Sequence, residues 1–160
     1  MADELALLVA DIFEAAGALR RAGETLAAAE GQTQARWQLM SVVSEQDLTV
    51  ARAARRLGVA RQGLQRIAND LVNEGLAQFR DNPDHRTSPL LALTGAGRRT
   101  LAAITARAAA AHRTVGDGIP PDDLAAVRAL LQRLTRQTDD WATTARPARG
   151  SRSDVRTGTT

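Results

Sequence analysis

The sequence predicts a mainly α-helical chain of six helices, with one small β-hairpin set between the fourth and the fifth. Three observations lead there. Apolar residues recur at steps of three and four along most of the 160 positions. Alanine, the strongest helix former, occurs 32 times. The period falls to two only in LAQFR (76–80) and LAL (91–93), which flank the turn-rich DNPDHRTSP.

In order along the chain, residues 2–29 place Leu5, Leu8, Ile12, Ala15, Leu19 and Leu26 near a 3.5-residue period, a long amphipathic helix that Gly31 closes. A second helix over about 33–44 carries Trp37, Leu39, Met40, Val42 and Val43. After a turn, Leu48-Thr49 leads into a short third helix, VARAARRLG, with Thr49 as its N-cap and Gly58 as its stop. Val59-Ala60 then introduces a fourth helix, RQGLQRIANDLVNEG, ending at Gly75. Two short helices joined at Gly58-Val59-Ala60 make a helix-turn-helix.

Beyond the hairpin, Thr94 caps a fifth helix running to about His112. GDGIPPDD breaks the chain, and Pro120 or Pro121 opens the last helix with Asp122 and Asp123 in its first turn. There Leu124, Val127, Leu131, Leu134, Thr138 and Trp141 follow a heptad-like spacing. From Thr143 onward the chain is Arg-rich and lacks apolar residues for a core, so residues 143–160 are expected to be a disordered tail.

Composition removes several kinds of chemistry. Cysteine is absent, which excludes a disulfide scaffold, cysteine-ligated zinc and thiol-based sensing. All 21 basic residues are arginine, so a P-loop lysine is missing too, and no Gly-x-Ser-x-Gly elbow is present. His85 and His112 have no second histidine at ligand spacing, so no catalytic residue, metal or cofactor is expected. No run reaches the roughly 18 apolar residues of a membrane span. The acidic start, Met1-Ala2-Asp3-Glu4, carries no signal-peptide pattern, and the expected location is the cytoplasm.

The formal charge is only +3, but it is segregated. Residues 1–48 hold 3 arginines against 8 acids, whereas residues 49–99 hold 9 against 4. A basic middle between acidic and neutral flanks suits one polyanion-facing module. Within the fourth helix Leu64, Ile67, Ala68 and Leu71 share the core face, leaving Arg61, Gln62, Gln65, Arg66 and Asn69 on the other. Those side chains are of the kinds that pair with base edges, although a solvated polar face fits the same pattern.

The run LTVARAARRLGVARQGLQRIANDLVNEGLAQFRDNPDHRTSPLLALTGAGRRTL, residues 48–101, resembles the MarR family of winged-helix transcription regulators. The shared features are the capped positioning helix, Leu-Gly-Val, a recognition helix ending in Gly-Leu, the Asp84-His85-Arg86 wing and Leu93-Thr94-Gly95-Ala96-Gly97-Arg98. The resemblance implies a winged helix-turn-helix in a six-helix homodimer. Segments 1–30 and 115–142 would be dimerisation helices, and 33–112 the DNA-binding lobe with its connecting helix. It implies that Arg61, Gln62, Gln65, Arg66 and Asn69 read bases in the major groove, and that Thr49, Arg52, Arg55 and Arg56 meet phosphates. The wing, Asp84, His85, Arg86 and Thr87, would place Arg86 in the minor groove, held by an ion pair with Asp84.

Two positions depart from the pattern. Ala60 stands where a side-chain N-cap is usual, and Gly63 where a small hydroxyl residue is common. The implied partners are a pseudo-palindromic duplex, a second copy of the chain and a small aromatic or phenolic effector. Arg36, Trp37 and Met40 are the nearest candidates for a ligand pocket, although the reading of Trp37 and Met40 as simple core residues fits the sequence better. The expected function is a sequence-specific transcriptional regulator, a repressor that a small ligand releases. The alternatives are a protein-interaction module without DNA binding, or a small enzyme using the interhelical cleft.

Overall fold

The computed structural model describes residues 3–145. Its elements are α1 (Glu4–Ala28), α2 (Gln34–Glu45), β1 (Leu48–Thr49), α3 (Val50–Leu57), α4 (Arg61–Asn73), β2 (Ala77–Arg80), β3 (Leu90–Leu93), α5 (Gly95–Val115) and α6 (Pro121–Thr144). The chain divides into two compact units, one ending at Val115 and one starting at Gly116.

Local signals account for most boundaries. Asp3, Thr33 and Thr49 each turn a side-chain oxygen onto the first-turn amides of α1, α2 and α3. Gly58 ends α3 at φ 65°, the left-handed conformation that a residue with a Cβ resists. Thr94 precedes α5 and does two jobs: its Oγ accepts from the Gly97 amide at 3.1 Å and donates to the Gly75 carbonyl at 2.7 Å. Pro120 sits at the N-cap of α6, with Pro121 as its first residue.

The hairpin is present, and the sheet is larger than the sequence indicates. Its order is β1-β3-β2, antiparallel throughout, with Leu48 facing Leu91 and Phe79 also facing Leu91 from the other side. A two-residue strand shows no period of its own. It forms because β3 has a free edge whose amides and carbonyls need partners.

In the first unit α2 runs through the middle. Leu39, Met40 and Val43 from α2, Leu71 from α4, Leu91 and Leu93 from β3 and Ile104 from α5 are fully or almost fully buried together. The core face of α4 is as expected, with Leu64, Ala68 and Leu71 buried and Ile67 packed against them. Helix α1 meets α2 through Gly23, where a Cβ would fall 2.7 Å from Gln34 Cγ. At the start of α5, Gly97 lies so close to Leu76 that a Cβ would be 1.9 Å from the Leu76 carbonyl oxygen.

Among the described residues the long apolar stripe of α1 is only partly covered, with Leu8, Ile12 and Leu26 half-buried. Leu5 and Leu19 are exposed, Phe13 is 75% exposed, and only Gly23 and Ala27 of α1 are buried. In the second unit, α6 buries none of its residues, and Trp141 is 70% exposed. Two boundaries move. Helix α5 continues to Val115, three residues past His112. Helix α6 includes Thr143 and Thr144, the first residues of the expected tail, and their hydroxyls bond back to the Asp139 and Asp140 carbonyls. Positions 146–160 lie outside the described residues.

Candidate nucleic-acid interface

Helices α3 and α4 meet at a turn in which the Gly58 amide reaches the Arg55 carbonyl at 3.2 Å and the Val59 amide the Ala54 carbonyl at 3.0 Å. With α4 anchored on its apolar side, Arg61, Gln62, Arg66 and Asn69 stand exposed on the other. Gln65 is half-buried, and its Nε2 donates to Asn69 Oδ1 at 3.0 Å, one helical turn on. No side chain caps the first turn of α4 at Ala60, and a Cβ on Gly63 would meet nothing within 4 Å. The start of the helix is therefore open to an incoming ligand surface.

Two hollows join part of the predicted set, whereas Arg56, Gln62, Arg66, Asn69 and Arg86 line neither. The first, about 220 Å³, is walled by Arg61 and Gln65 of α4, Val50 and Ala51 of α3, Phe79 of β2 and Thr87 of the wing. The second, about 510 Å³, brings Arg52 and Arg55 of α3 to Asn82, Asp84 and His85 of the wing, over Thr49. One continuous set of side chains thus runs from the start of α4, across the N-terminal end of α3, to the loop between β2 and β3. Phe79 was invisible as a site residue in the sequence because a strand aromatic reads as core.

The cations on this face are not equivalent. Among the described residues, Arg52, Arg55, Arg61, Arg66 and Arg86 make no ion pair, whereas Arg56 is paired with Glu45 at the end of α2. Thr49 Oγ accepts from the Arg52 amide at 3.2 Å, which leaves the hydroxyl hydrogen free to donate elsewhere. Arg80 reaches Asp47 at 3.4 Å, tying the end of β2 to the segment before β1.

In the wing, the expected Asp84–Arg86 ion pair is not formed. Asp84 belongs to a turn over 82–85 and Arg86 to the next turn over 85–88, each closed by a backbone hydrogen bond. Both side chains are exposed, where pairing contributes at most about 1 kcal/mol and does not outweigh solvation and side-chain entropy. The Asp84 amide instead donates to Asn82 Oδ1 at 3.1 Å, and His85 Nδ1 lies 3.2 Å from Thr87 Oγ.

The three residues expected to line a ligand pocket do not converge. Met40 is fully buried in the core. Arg36, only 13% exposed, pairs through Nη2 with Glu74 Oε1 at 2.5 Å, linking α2 to the end of α4. Trp37 alone lies on a groove, about 270 Å³, with Gln34, Gln38, Ser41, Val42 and Leu57. Helical spacing puts positions 36, 37 and 40 on one side of α2, but the burial of Met40 in the core and the pairing of Arg36 with Glu74 take two of them out of the groove. Among the described residues no group of three or more His, Asp or Glu side chains could hold a metal ion, and no helix is long and apolar enough to cross a membrane.

A model of the MarR family matches residues 31–86. An uncharacterized protein of Mycobacterium tuberculosis is 63% identical over 134 residues, covering 84% of this chain and 94% of that protein. A MarR family regulator from Listeria monocytogenes, solved in complex with a 26mer DNA, superposes with a TM-score of 0.76 at 17% identity, over 89% of this chain and 97% of that one. CouR from Rhodococcus jostii RHA1, solved with p-coumaroyl-CoA bound, superposes with a TM-score of 0.71 at 23% identity, over 83% and 92%. At these identities the structural likeness speaks to the fold.

Proposed function

The chain belongs to the MarR family, and from that premise we propose that it is a sequence-specific regulator of transcription that binds duplex DNA. One observation carries the reading: the open polar face of α4, the unpaired arginines of α3 and the wing share one continuous surface. In this reading α4 enters a major groove, and Arg61, Gln62, Gln65, Arg66 and Asn69 face base edges. Arginine suits guanine and the two amides suit adenine. Arg52 and Arg55 meet phosphates directly, Thr49 donates its free hydroxyl hydrogen to one, and Arg56 exchanges Glu45 for another. Arg86 enters the flanking minor groove, where the negative potential of A·T-rich DNA is strongest.

The working form is a homodimer. The exposed apolar residues of α1 and α6 support it, because a chain seldom leaves two such stripes in water. A two-fold dimer presents two copies of α4 and so requires a pseudo-palindromic site. The regulator is a cytoplasmic, non-catalytic repressor released by a small aromatic or phenolic ligand. The Trp37 groove supports this part, since it opens beside Leu57, the last residue of α3. A ligand wedged there presses on the turn that orients α4. The p-coumaroyl-CoA bound by CouR carries a phenolic acyl group, although on a much larger coenzyme A carrier.

The test is selection from random duplexes with the full-length protein, followed by anisotropy titration of the enriched site. A pseudo-palindromic motif is expected, bound with a Kd of about 10⁻⁸–10⁻¹¹ M and a steep salt dependence. Gln65→Ala alters the base preference of that motif. Absence of any enriched sequence overturns the reading in favour of a protein-interaction module that keeps the fold.

A further inference from the structure

The wing has a device that neither its charges nor its family resemblance accounts for. Asn82 lies two residues after β2 and precedes Pro83, and it is half-buried, as is Ser88, in a loop whose other residues are exposed. Its amide forms a clamp across that loop. Nδ2 donates to the Ser88 carbonyl at 2.8 Å, while Oδ1 accepts from the Asp84 amide at 3.1 Å. The Asn82 carbonyl accepts a third hydrogen bond, from the His85 amide at 3.2 Å, and Ser88 then bonds back to the His85 carbonyl at 3.1 Å. The segment 83–87, Arg86 included, is thereby enclosed in two successive turns whose first and last residues Asn82 holds together. Local chemistry favours this arrangement, since asparagine bonds the amide two residues on and proline presets φ at the next position of the turn.

Resting on the reading of the wing as a minor-groove element, we propose that Asn82 is the positioning residue that holds Arg86 ready for DNA, the part the sequence suggests for Asp84. Asn82 does not touch the duplex. It removes conformational freedom from the loop before binding, so that less ordering remains to be done when Arg86 enters the groove. Asp84 contributes through its backbone amide, and its carboxylate is not needed for the clamp.

The proposal is tested with the full-length protein by a double-mutant cycle on the selected duplex, read by anisotropy. Asn82→Ala and Arg86→Ala should each weaken binding about tenfold, as expected for loss of one or two net hydrogen bonds. The double variant should bind no more weakly than Arg86→Ala alone, because Asn82 acts through that side chain. Asn82→Ser, which keeps an acceptor for the Asp84 amide but cannot span the loop, should recover part of the loss and serves if the alanine variant folds poorly. A DNA-free readout accompanies the cycle: trypsin cleavage after Arg86, followed by mass spectrometry, should become several-fold faster in Asn82→Ala.

Wild-type affinity and an unchanged cleavage rate in Asn82→Ala overturn the proposal, as do losses that add in the double variant. Faster cleavage combined with full affinity in Arg86→Ala shows that the clamp exists but that the wing does not meet DNA. That outcome overturns both the proposal and the wing's place in the function.

Discussion

Replacing Gly97 by alanine adds one methyl group and should be among the most damaging single changes in the chain. Gly97 is buried in the first turn of α5, and the new Cβ would lie 1.9 Å from the Leu76 carbonyl oxygen and 2.9 Å from its carbon. A carbon rests against a carbonyl oxygen at about 3.3 Å or more, so the helix must withdraw by about 1.4 Å. Three hydrogen bonds hold it in place. The Thr94 amide donates to that same Leu76 oxygen at 3.1 Å, Thr94 Oγ donates to Gly75 at 2.7 Å, and the Gly97 amide donates to Thr94 Oγ at 3.1 Å. Backbone, not a flexible side chain, is the obstacle. Overpacking against it costs about 1–3 kcal/mol, and disturbing a partly buried hydrogen bond costs about 1–3 kcal/mol more. Alanine returns up to about 1 kcal/mol through its better helix propensity. The net loss falls within about 1–6 kcal/mol. Its middle value, about 3 kcal/mol, is a large share of the roughly 5–15 kcal/mol that holds a domain together. Urea unfolding followed by circular dichroism should show the midpoint falling by about 1–2 M with the slope unchanged. A midpoint within error of wild type would refute the close approach of α5 to Leu76.

The same exchange at Gly63 should do the reverse. A Cβ there meets nothing, so Gly63→Ala stabilises α4 by about 0.5–1 kcal/mol in the same assay, and a loss of stability would show that the space is not open. Glu74→Ala strands Arg36, which is 13% exposed, and should cost about 1–3 kcal/mol. The Arg36→Ala/Glu74→Ala double variant should lose less than the two single losses combined, and simple additivity would deny the pair any structural role. Glu45→Ala spares Arg56 the exchange of Glu45 for phosphate, which should tighten non-specific DNA binding up to about fivefold with the salt slope little changed, since the number of phosphate contacts is the same. Unchanged affinity would remove Arg56 from the phosphate contacts.

Where elements begin and end was legible because the causes are local. Thr49, Gly58 and Thr94 act within four residues of themselves, and the core face of α4 follows from its own apolar spacing. The turn-forming Asn82-Pro83 pair is equally visible in the sequence, although what the asparagine reaches is not. Strand β1 was hidden because two residues have no period, and only the free edge of β3 defines it. For Met40 the core reading that the sequence favours over the pocket is the one the fold realises, although a half-polar helix does not by itself reveal which of its apolar positions faces inward.

By itself, the sequence determined the order of elements, the helix-turn-helix with its hairpin, and the net positive charge of that region against the acidic N-terminal segment. Caps, turns and periodicity operate over a few residues and need no partner from elsewhere. Tertiary structure alone decided which charged groups remain available. Arg36 is engaged by a carboxylate 38 positions away and Arg56 by one 11 positions away, while Arg52, Arg55 and Arg86 have no ion-pair partner among the described residues. Ion pairing depends on distance through space, and the chain acquires those distances only when α2 lies against α3 and α4.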